Sequence, residues 1–178
     1  MTIDDIIKAV IKLSMRKQIK FNNGHLKVLQ ISDLQDNRFT CVDTLRFMEA
    51  AVKKIKPDLI VFTGDQLDVV DLWGKGERCR RNVEKAINRL FSVFESFDIP
   101  FVLTFGNHDR ETGLPNDEQA KIYAKMKNCI CFDDLNDGRP DAGTFNVPIM
   151  SSDGSRTAMN IYVFDTGSKT NGVYGGVR

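Results

Sequence analysis

The cluster best suited to chemistry follows the apolar segment 101–105, where Gly106, Asn107, His108 and Asp109 stand in succession. These residues offer an amide, an imidazole and a carboxylate. The glycine lets the backbone turn sharply and present the next side chains to a crevice, and ligands of open α/β sheets bind beyond the carboxyl ends of the strands. The chain has two histidines, and the other one precedes a predicted strand. We therefore expect His108 to carry any imidazole chemistry at the strand ends.

Two further acidic residues end apolar segments in the same manner, Asp33 after the first segment and Asp65 after the second. Carboxylate and amide oxygens that converge without a nearby lysine or arginine are natural ligands of divalent cations. We expect Asp65 to bridge two ions, because it lies between the other two clusters in the sequence. Two ions about 3.5–4 Å apart can activate a water and clamp both oxygens of a phosphoryl transfer. His108 would then protonate the leaving group, and Asp109 would orient the imidazole.

Strand-like and helical segments alternate around these clusters. Thr40 and Asp43 form a capping-box signal, and apolar residues then recur at helical spacing until Pro57. The same spacing recurs from about residue 78 to residue 97. Strands that alternate with helices of this length predict an α/β fold with a mostly parallel sheet and right-handed crossovers. The predicted strands of this sheet span 26–32, 58–63 and 101–105.

After the third predicted strand, the regular alternation of strands and helices gives way to a predicted β-hairpin. Asn116 with Gln119 predicts the start of a third helix that runs to about Lys127, and residues 129–132 read as a short strand. A turn is predicted over 136–140. The last predicted elements, at 143–150 and 157–165, alternate like the two strands of a β-hairpin with a polar connection.

The N-terminal segment predicts an amphipathic helix over residues 3–16, with isoleucine and valine side chains on one face. We expect this helix to pack on the edge of the domain, with a partner or membrane-surface role as the alternative. The chain then divides into residues 1–24, a helix and linker, and residues 25–178, one catalytic-type domain. A turn at Asn22, Asn23 and Gly24 marks the boundary.

Composition excludes several classes of protein. Of the 178 residues, 42% are hydrophobic and 28% are charged, which is typical of a soluble globular domain. The net charge is +1 with both signs interspersed, so nucleic acid is not an expected partner. No apolar run approaches the roughly 20 residues of a membrane helix, and no signal peptide is recognised. We expect a cytoplasmic protein with four free cysteines that acts on a phosphate-bearing molecule, and we leave its oligomeric state open.

Three motifs carry a family resemblance: Ile31-Ser32-Asp33-Leu34-Gln35, Gly64-Asp65-Gln66 and Gly106-Asn107-His108-Asp109. In this order and spacing they resemble the first three blocks of the calcineurin-like metallophosphoesterase superfamily. The segment 143–168 is similar to the branch related to the purple acid phosphatases. The resemblance implies a four-layered α/β/β/α sandwich, of which this chain would supply the N-terminal half. It also implies metal-dependent hydrolysis of phosphomonoesters or phosphodiesters at a dinuclear site.

The family pattern assigns each motif residue a role. Asp33 would bind the first metal, Asp65 would bridge, Asn107 would bind the second metal, and His108 would act as the acid or contact the phosphate. The metals implied are two divalent ions, most commonly manganese, iron or zinc. The first block usually ends in a ligand histidine, and here Gln35 takes that place, either as a direct or water-mediated ligand or as a residue behind the ligands.

A second departure from the family pattern lies downstream, because no histidine follows His108. The later histidine-bearing blocks are therefore absent, and the second metal site would be incomplete. We expect an N-terminal portion of a longer phosphoesterase, truncated at its C-terminal end. The alternative is a metal-poor, non-catalytic binding or regulatory relative of the same fold. A response-regulator-like domain that is phosphorylated on Asp65 is a third option, but it lacks a lysine at a later strand end.

Overall fold

The computed structural model describes residues 17–68, 73–132, 142–167, 169–170 and 173–174. A parallel sheet forms in the order β1 (Val28–Ile31), β2 (Leu59–Phe62) and β3 (Phe101–Leu103). The predicted α/β architecture with a parallel sheet is confirmed, and each strand is shorter than its predicted segment. The helix predicted over 3–16 and the turn predicted over 136–140 lie outside the described residues.

Helices α1 (Val42–Ile55) and α2 (Gly76–Ser96) connect these strands, and α3 (Asn116–Tyr123) follows β3. Helix α1 ends at Lys56, whose backbone is left-handed with a φ of 51° and whose N–H donates to Val52 O over 2.8 Å. Pro57 comes next and could not continue the helix. The spacing of the apolar residues therefore predicted this helix and its end correctly.

The start of α1 is held by a residue that the sequence pattern did not indicate. The predicted capping box of Thr40 and Asp43 is wrong, because no side-chain cap bond is made from the N-cap residue Cys41. Instead, the carboxylate of Asp36 accepts the N–H of Cys41 at 3.0 and 3.1 Å and the N–H of Asn37 at 2.7 Å. Asp36 is 3% exposed. The carboxylate caps the helix from the preceding loop, where it lies close to the positive end of the helix dipole.

Helix α3 corrects a second predicted cap. Its N-cap is Pro115, and Asn116 lies inside the first turn without a hydrogen bond from its side chain. The helix ends at Tyr123, earlier than the predicted Lys127. The side chain of Gln119 faces inward and donates to Asp109 O at 2.7 Å and to Leu114 O at 2.8 Å. The prediction failed because an asparagine or glutamine that caps a helix cannot be told from a buried one by its type and spacing alone.

The core lies between the sheet and the helices. Phe62 of β2 packs on Phe91 and Phe94 of α2 with ring centroids 4.8 and 5.0 Å apart, and Phe101 packs on Phe91 at 5.1 Å. Tyr123 of α3 joins the cluster at 4.9 Å from Phe91. Burial of each such side chain contributes about 1.5–3 kcal/mol. The cluster therefore holds β2 and β3 in a fixed relation to the helices.

The second half of the described chain is antiparallel, as the alternation predicted. Strands β4 (Phe145–Met150) and β5 (Thr157–Val163) form a hairpin with an irregularity between Ile149 and Met150. A small hairpin of β6 (Lys169–Thr170) and β7 (Val173–Tyr174) follows. The strand predicted at 129–132 is reduced to one parallel bridge between Cys129 and Phe101.

All four cysteines are free, as expected. Within the described ranges, no helix is both long and apolar enough to cross a membrane.

Candidate active site

The polar residues that follow the three strands meet in one cleft. Asp33 after β1, Asp65 after β2 and Asn107 after β3 all line it, together with Gly64 and Gly106. Its volume is about 640 Å³. Parallel neighbours place their carboxyl ends at one edge of the sheet, so residues far apart in sequence converge there. The structure thus brings together three of the four predicted metal ligands.

The opposite wall of the cleft belongs to the hairpin. Ile161, Tyr162 and Val163 of β5 and the residues that follow line it, and they face Val28, Gln30 and Val61 on the sheet. These sheet residues alternate with those that pack on the phenylalanines of α2, as the period of a strand requires. The helices and the cleft therefore occupy opposite faces of the sheet.

Two glycines allow the loops to come this close. A Cβ on Gly64 would lie 2.7 Å from Gly106 N, and a Cβ on Gly106 would lie 2.1 Å from Asp65 Oδ1. Gly64 also has a φ of +112°, which side chains rarely adopt. Neither position can therefore carry a side chain unless the loops separate. The direct glycine contact sets the distance between Asp65 and Asn107.

The loops of β1 and β2 run side by side beyond the strands. Asp33 N–H donates to Gly64 O at 3.1 Å, and Gln35 N–H donates to Asp65 O at 2.9 Å. Asp33, Gln35 and Asp65 have left-handed backbones with φ values of 55°, 43° and 54°. Such conformations in residues other than glycine are uncommon, and they cluster at functional sites when the surrounding structure enforces them. The hydrogen bonds between the loops provide that enforcement here.

The buried carboxylate of Asp109 joins the loops that follow β2 and β3. Its Oδ2 accepts the N–H of Asp65 at 2.9 Å and of Gly106 at 2.8 Å, and its Oδ1 accepts the N–H of Gln66 and of Leu67, both at 3.0 Å. The residue is fully buried. Burial raises the pKa of this carboxyl to about 7, against the N–H donors of Gly106 and Leu67, which lower it.

The expected contact between Asp109 and the His108 ring is therefore wrong. Both carboxylate oxygens are used by backbone N–H groups from the loops after β2 and β3, and the side chain points into the protein. Asp109 joins the two loops that carry Asp65 and Asn107. His108 and Asp109 are adjacent in the sequence, which suggested a contact. Adjacent residues in a tight turn, however, direct their side chains to different surroundings.

The ring of His108 is held by Glu111 instead. Nδ1 of His108 lies 3.0 Å from Glu111 Oε2. Glu111 lies in a short 3₁₀ turn over Asp109–Thr112, and His108 is the N-cap residue of that turn. The backbone N–H of His108 donates to Asp65 Oδ1 at 2.8 Å. The hydrogen bond to Glu111 raises the pKa of His108, and the nearby Asp65 carboxylate adds to that effect.

Glu111 is a residue that motif reasoning missed. The i, i+3 spacing of an acidic residue after a histidine was the available signal, since residues three apart face each other on a helical turn. Two other predicted site residues lie apart from the cleft. His108 and Gln35 are not among the residues that line it, and Gln35 is exposed to solvent.

The charge of the cleft is negative. Among the described residues, its charged lining groups are Asp33 and Asp65, and no lysine or arginine lines it. The nearest arginine in sequence, Arg110, is engaged elsewhere: its Nη2 lies 2.7 Å from Oδ2 of Asp165, whose side chain is 1% exposed. Within the described residues, neither cleft carboxylate forms an ion pair with a lysine or arginine. A phosphate group would be repelled from this cleft unless cations neutralised it.

The donor set suits part of a metal shell. Carboxylate oxygens of Asp33 and Asp65 with the amide oxygen of Asn107 are ligands that manganese and magnesium accept and that zinc and iron tolerate. Across the described part of the chain, no group of three or more histidine, cysteine, aspartate and glutamate side chains is placed to hold an ion. The described residues thus offer oxygen atoms of the kind that bind divalent ions, but they do not form a complete set of ligands.

Comparison with known proteins decides the family. The model of the calcineurin-like phosphoesterases matches residues 26–176, which includes all three strand-end motifs.

The chain belongs to the calcineurin-like phosphoesterase family.

Relatives of this chain include two plant proteins and a bacterial one. "Probable inactive purple acid phosphatase 14" of Arabidopsis thaliana is 29% identical over 184 residues, covering 87% of this chain and 43% of that protein. "Probable inactive purple acid phosphatase 29" of the same plant is 28% identical, covering 86% and 44%. "UDP-2,3-diacylglucosamine pyrophosphatase LpxG" of Chlamydia muridarum is 33% identical over 114 residues, covering 62% and 31%. The chain spans less than half the length of each.

The family assignment confirms the suspected superfamily and the fold class. The metal and catalytic roles assigned to Asp33, Gln35, Asp65, Asn107 and His108 stay predictions, because the matches carry no residue roles. The division at residue 24 also stays a prediction, although the family match begins close to it.

Proposed function

We propose that this phosphoesterase hydrolyses phosphate esters, as a phosphomonoesterase or phosphodiesterase, with two divalent metal ions as cofactors. The observation that carries the proposal is the convergence of Asp33, Asp65 and Asn107 in one negative cleft, held by the contact of Gly64 with Gly106. A cleft with this charge binds cations first and phosphate only afterwards. Metal dependence is therefore the expected property of any hydrolysis here.

The residues of the cleft and its neighbour His108 would have separate roles in metal binding and proton transfer. Asp33, Asp65 and Asn107 would hold the ions, with Gln35 as a weaker amide donor near the first. Bound divalent ions supply Lewis acidity and an activated water in chemistry of this class. His108 lies next to Asn107 and donates its backbone N–H to Asp65. Its ring would transfer a proton to the leaving oxygen or hold a phosphate oxygen.

The substrate class is a phosphate ester, and the relatives do not narrow it further. The LpxG relative is named a pyrophosphatase of a diacylated sugar nucleotide, whereas the plant relatives are named for purple acid phosphatases. Manganese, iron and zinc all accept the oxygen donors present, and the hard carboxylates favour manganese among them.

The test is hydrolysis of aryl phosphate monoesters and diesters with manganese added or removed. We expect turnover that depends on the metal and that falls at least about 100-fold in Asp65→Asn, because the lost charge stabilises the transition state by several kcal/mol. Asp43→Asn is the matched control, since Asp43 lies on the outer face of α1 with a side chain 86% exposed. Activity that is equal with and without metal would show that the proposal is wrong.

A non-catalytic role is the second candidate, and a specific observation favours it. Gln35 replaces a ligand histidine, and both plant relatives are named as inactive. In this case the cleft would bind a divalent ion or a phosphate compound without turnover. Metal binding measured by calorimetry, in the absence of any hydrolysis, would support this alternative over the enzyme.

A further inference from the structure

His108 stands beside a carboxylate that no motif predicted. Its Nδ1 lies 3.0 Å from Oε2 of Glu111, three residues later in the chain. We propose that Glu111 is a positioning residue for the imidazole of His108, which fixes the ring for proton transfer to the substrate. This assignment rests on the proposed phosphoesterase function.

The geometry of the pair is set by the backbone. Glu111 N–H donates to His108 O at 2.9 Å, which closes the 3₁₀ turn that carries both residues. Gln119 anchors the same turn through the carbonyl of Asp109 at 2.7 Å. The carboxylate of Asp109 ties the turn to the loop after β2. The spacing between Glu111 and His108 is therefore fixed before any substrate binds, as efficient acid catalysis requires.

Other acidic residues near the ring have different roles. Asp109 is fully buried, and its two oxygens accept four backbone N–H groups. Asp65 uses Oδ1 to accept the backbone N–H of His108, not a ring nitrogen. Glu111 has a carboxylate oxygen within hydrogen-bond distance of the ring, and the negative charge of Asp68 also acts on the ring.

The hydrogen bond determines which ring nitrogen can serve the substrate. A carboxylate that accepts from Nδ1 requires the proton on that nitrogen, and it leaves Nε2 as the ring nitrogen available to a phosphate ester. In the acid form, Nε2–H passes its proton to the leaving oxygen as the bond from phosphorus to that oxygen breaks. Water supplies the oxygen that phosphorus gains and a proton that restores the acid form of the ring, so a monoester gives an alcohol and phosphate and a diester gives an alcohol and a monoester. Without Glu111 the ring could turn and present either nitrogen.

Stability does not account for this contact. The side chains of His108 and Glu111 are 34% and 50% exposed, and ion pairs between exposed side chains contribute little to stability. We therefore expect Glu111→Ala and Glu111→Gln to fold like the parent chain. The loss of Glu111 should act on the ring of His108 and on turnover, with little change in the unfolding midpoint.

The first experiment is NMR of the ring nitrogens in metal-free protein. The chain has two histidines, so each ring can be assigned with one His25→Asn variant. We expect the Nδ1–H form of His108 in the parent chain and a shift toward the Nε2–H form, which a free neutral imidazole prefers, in Glu111→Ala. Glu111→Gln keeps an oxygen acceptor and should retain the parent form. His25 should not change in any variant.

The second experiment uses aryl phosphates whose leaving phenols have pKa values from about 4 to about 10, since acid catalysis matters most for poor leaving groups. In Glu111→Ala we expect kcat to be nearly unchanged for the most acidic phenol and about 10–100-fold lower for the least acidic one, with KM unchanged. Glu111→Gln should restore part of the loss. The control is Glu49→Gln, which removes an exposed helix ion pair with Lys53.

Two results would overturn the assignment. One is a His108 ring that keeps its Nδ1–H form in Glu111→Ala, and the other is a loss of kcat that is equal for all leaving groups. If the parent chain hydrolyses none of the esters, the proposed function fails. The ring spectra still decide the Glu111 contact in that case, so the two failures are distinguishable.

Discussion

At the scale of single residues, the site depends on which groups the oxygens of each carboxylate contact. Asp33 and Asp65 open into the cleft, whereas Asp109 has both oxygens on backbone N–H groups and lies within the protein. Glu111 has one oxygen on the ring of His108. The four acidic residues at this sheet edge thus have three kinds of surroundings: Asp33 and Asp65 line the open cleft, Asp109 binds backbone N–H groups, and Glu111 contacts an imidazole.

Replacement of Asp109 by asparagine tests its role as a brace. The amide offers one acceptor oxygen, so two of the four buried N–H groups would lose a partner at about 1–3 kcal/mol each. We expect a loss of about 3 kcal/mol in the free energy of unfolding, measured by urea titration. Asp117→Asn on the exposed first turn of α3 serves as the control. An unchanged midpoint would contradict the assigned role.

The titration of His108 tests the contact with Glu111 in a second way. Because that hydrogen bond raises the pKa of the ring, proton binding favours the folded state. The resulting stability is fully present below the unfolded value of about 6.5 and is lost as pH rises through the higher folded value. We expect NMR of the metal-free protein to give a pKa above 6.5 for His108 and a lower one in Glu111→Gln. Equal pKa values in both proteins would refute this.

At the scale of elements, strands and loops bring the residues together. The strands β1, β2 and β3 deliver their carboxyl ends to one edge, and the loops continue their pairing through the bond from Asp33 N–H to Gly64 O. The contact between Gly64 and Gly106 then sets how closely the second and third loops approach. The hairpin of β4 and β5 closes the far side of the cleft.

Gly106→Ala tests this loop contact. The new methyl would meet Asp65 Oδ1 at 2.1 Å and Asp65 N at 2.5 Å, so the two loops must separate. We expect a loss of about 2–4 kcal/mol in stability, as for other changes that force backbone shifts, together with loss of metal binding. The control is Gly24→Ala, where a methyl meets nothing within 4 Å and only the left-handed φ of 80° opposes it. Equal destabilisation in the two variants would argue against the loop contact.

At the scale of the whole molecule, the sheet separates two environments. Its helix-facing side holds the aromatic core around Phe91, and its other side lines the negative cleft. The matched region extends over residues 26–176, while the chain spans 43% of the first plant relative. Metal binding together with metal-dependent turnover is the property that separates an enzyme from a non-catalytic relative, whereas a chain that binds no metal is the metal-poor relative.

Thermal unfolding with added manganese tests metal affinity for the molecule as a whole. A ligand that binds the folded state stabilises it by about 2.7 kcal/mol at a hundredfold excess over Kd. For a chain of this size we expect the melting temperature to rise by about 5–10 °C, and we expect no rise in Asp65→Asn. Addition of a chelator should reverse the shift. A parent chain that does not respond to manganese, iron or zinc would point to the metal-poor alternative.

Much of the fold could be predicted from the sequence because its signals are local. The apolar spacing up to Pro57 gave helix α1, and the apolar segments gave the three parallel strands. Motif spacing then placed Asp33, Asp65 and Asn107 on one edge, since parallel strands share the position of their carboxyl ends. Periodicity and strand polarity are properties of neighbouring residues, so they can be read without coordinates.

Only the tertiary structure decided the hydrogen-bond partners of the polar groups. Asp109 accepts the N–H of Asp65 from 44 positions away, and the cap of α1 comes from Asp36 and not from Thr40. No period links such residues, because their contacts depend on loop paths that cross in space. The sequence alone therefore determined which strand ends carry the polar motifs, while the fold determined that Glu111 and not Asp109 contacts the imidazole of His108. The reason is physical: a carboxylate already bound to four N–H groups has no oxygen left for a ring.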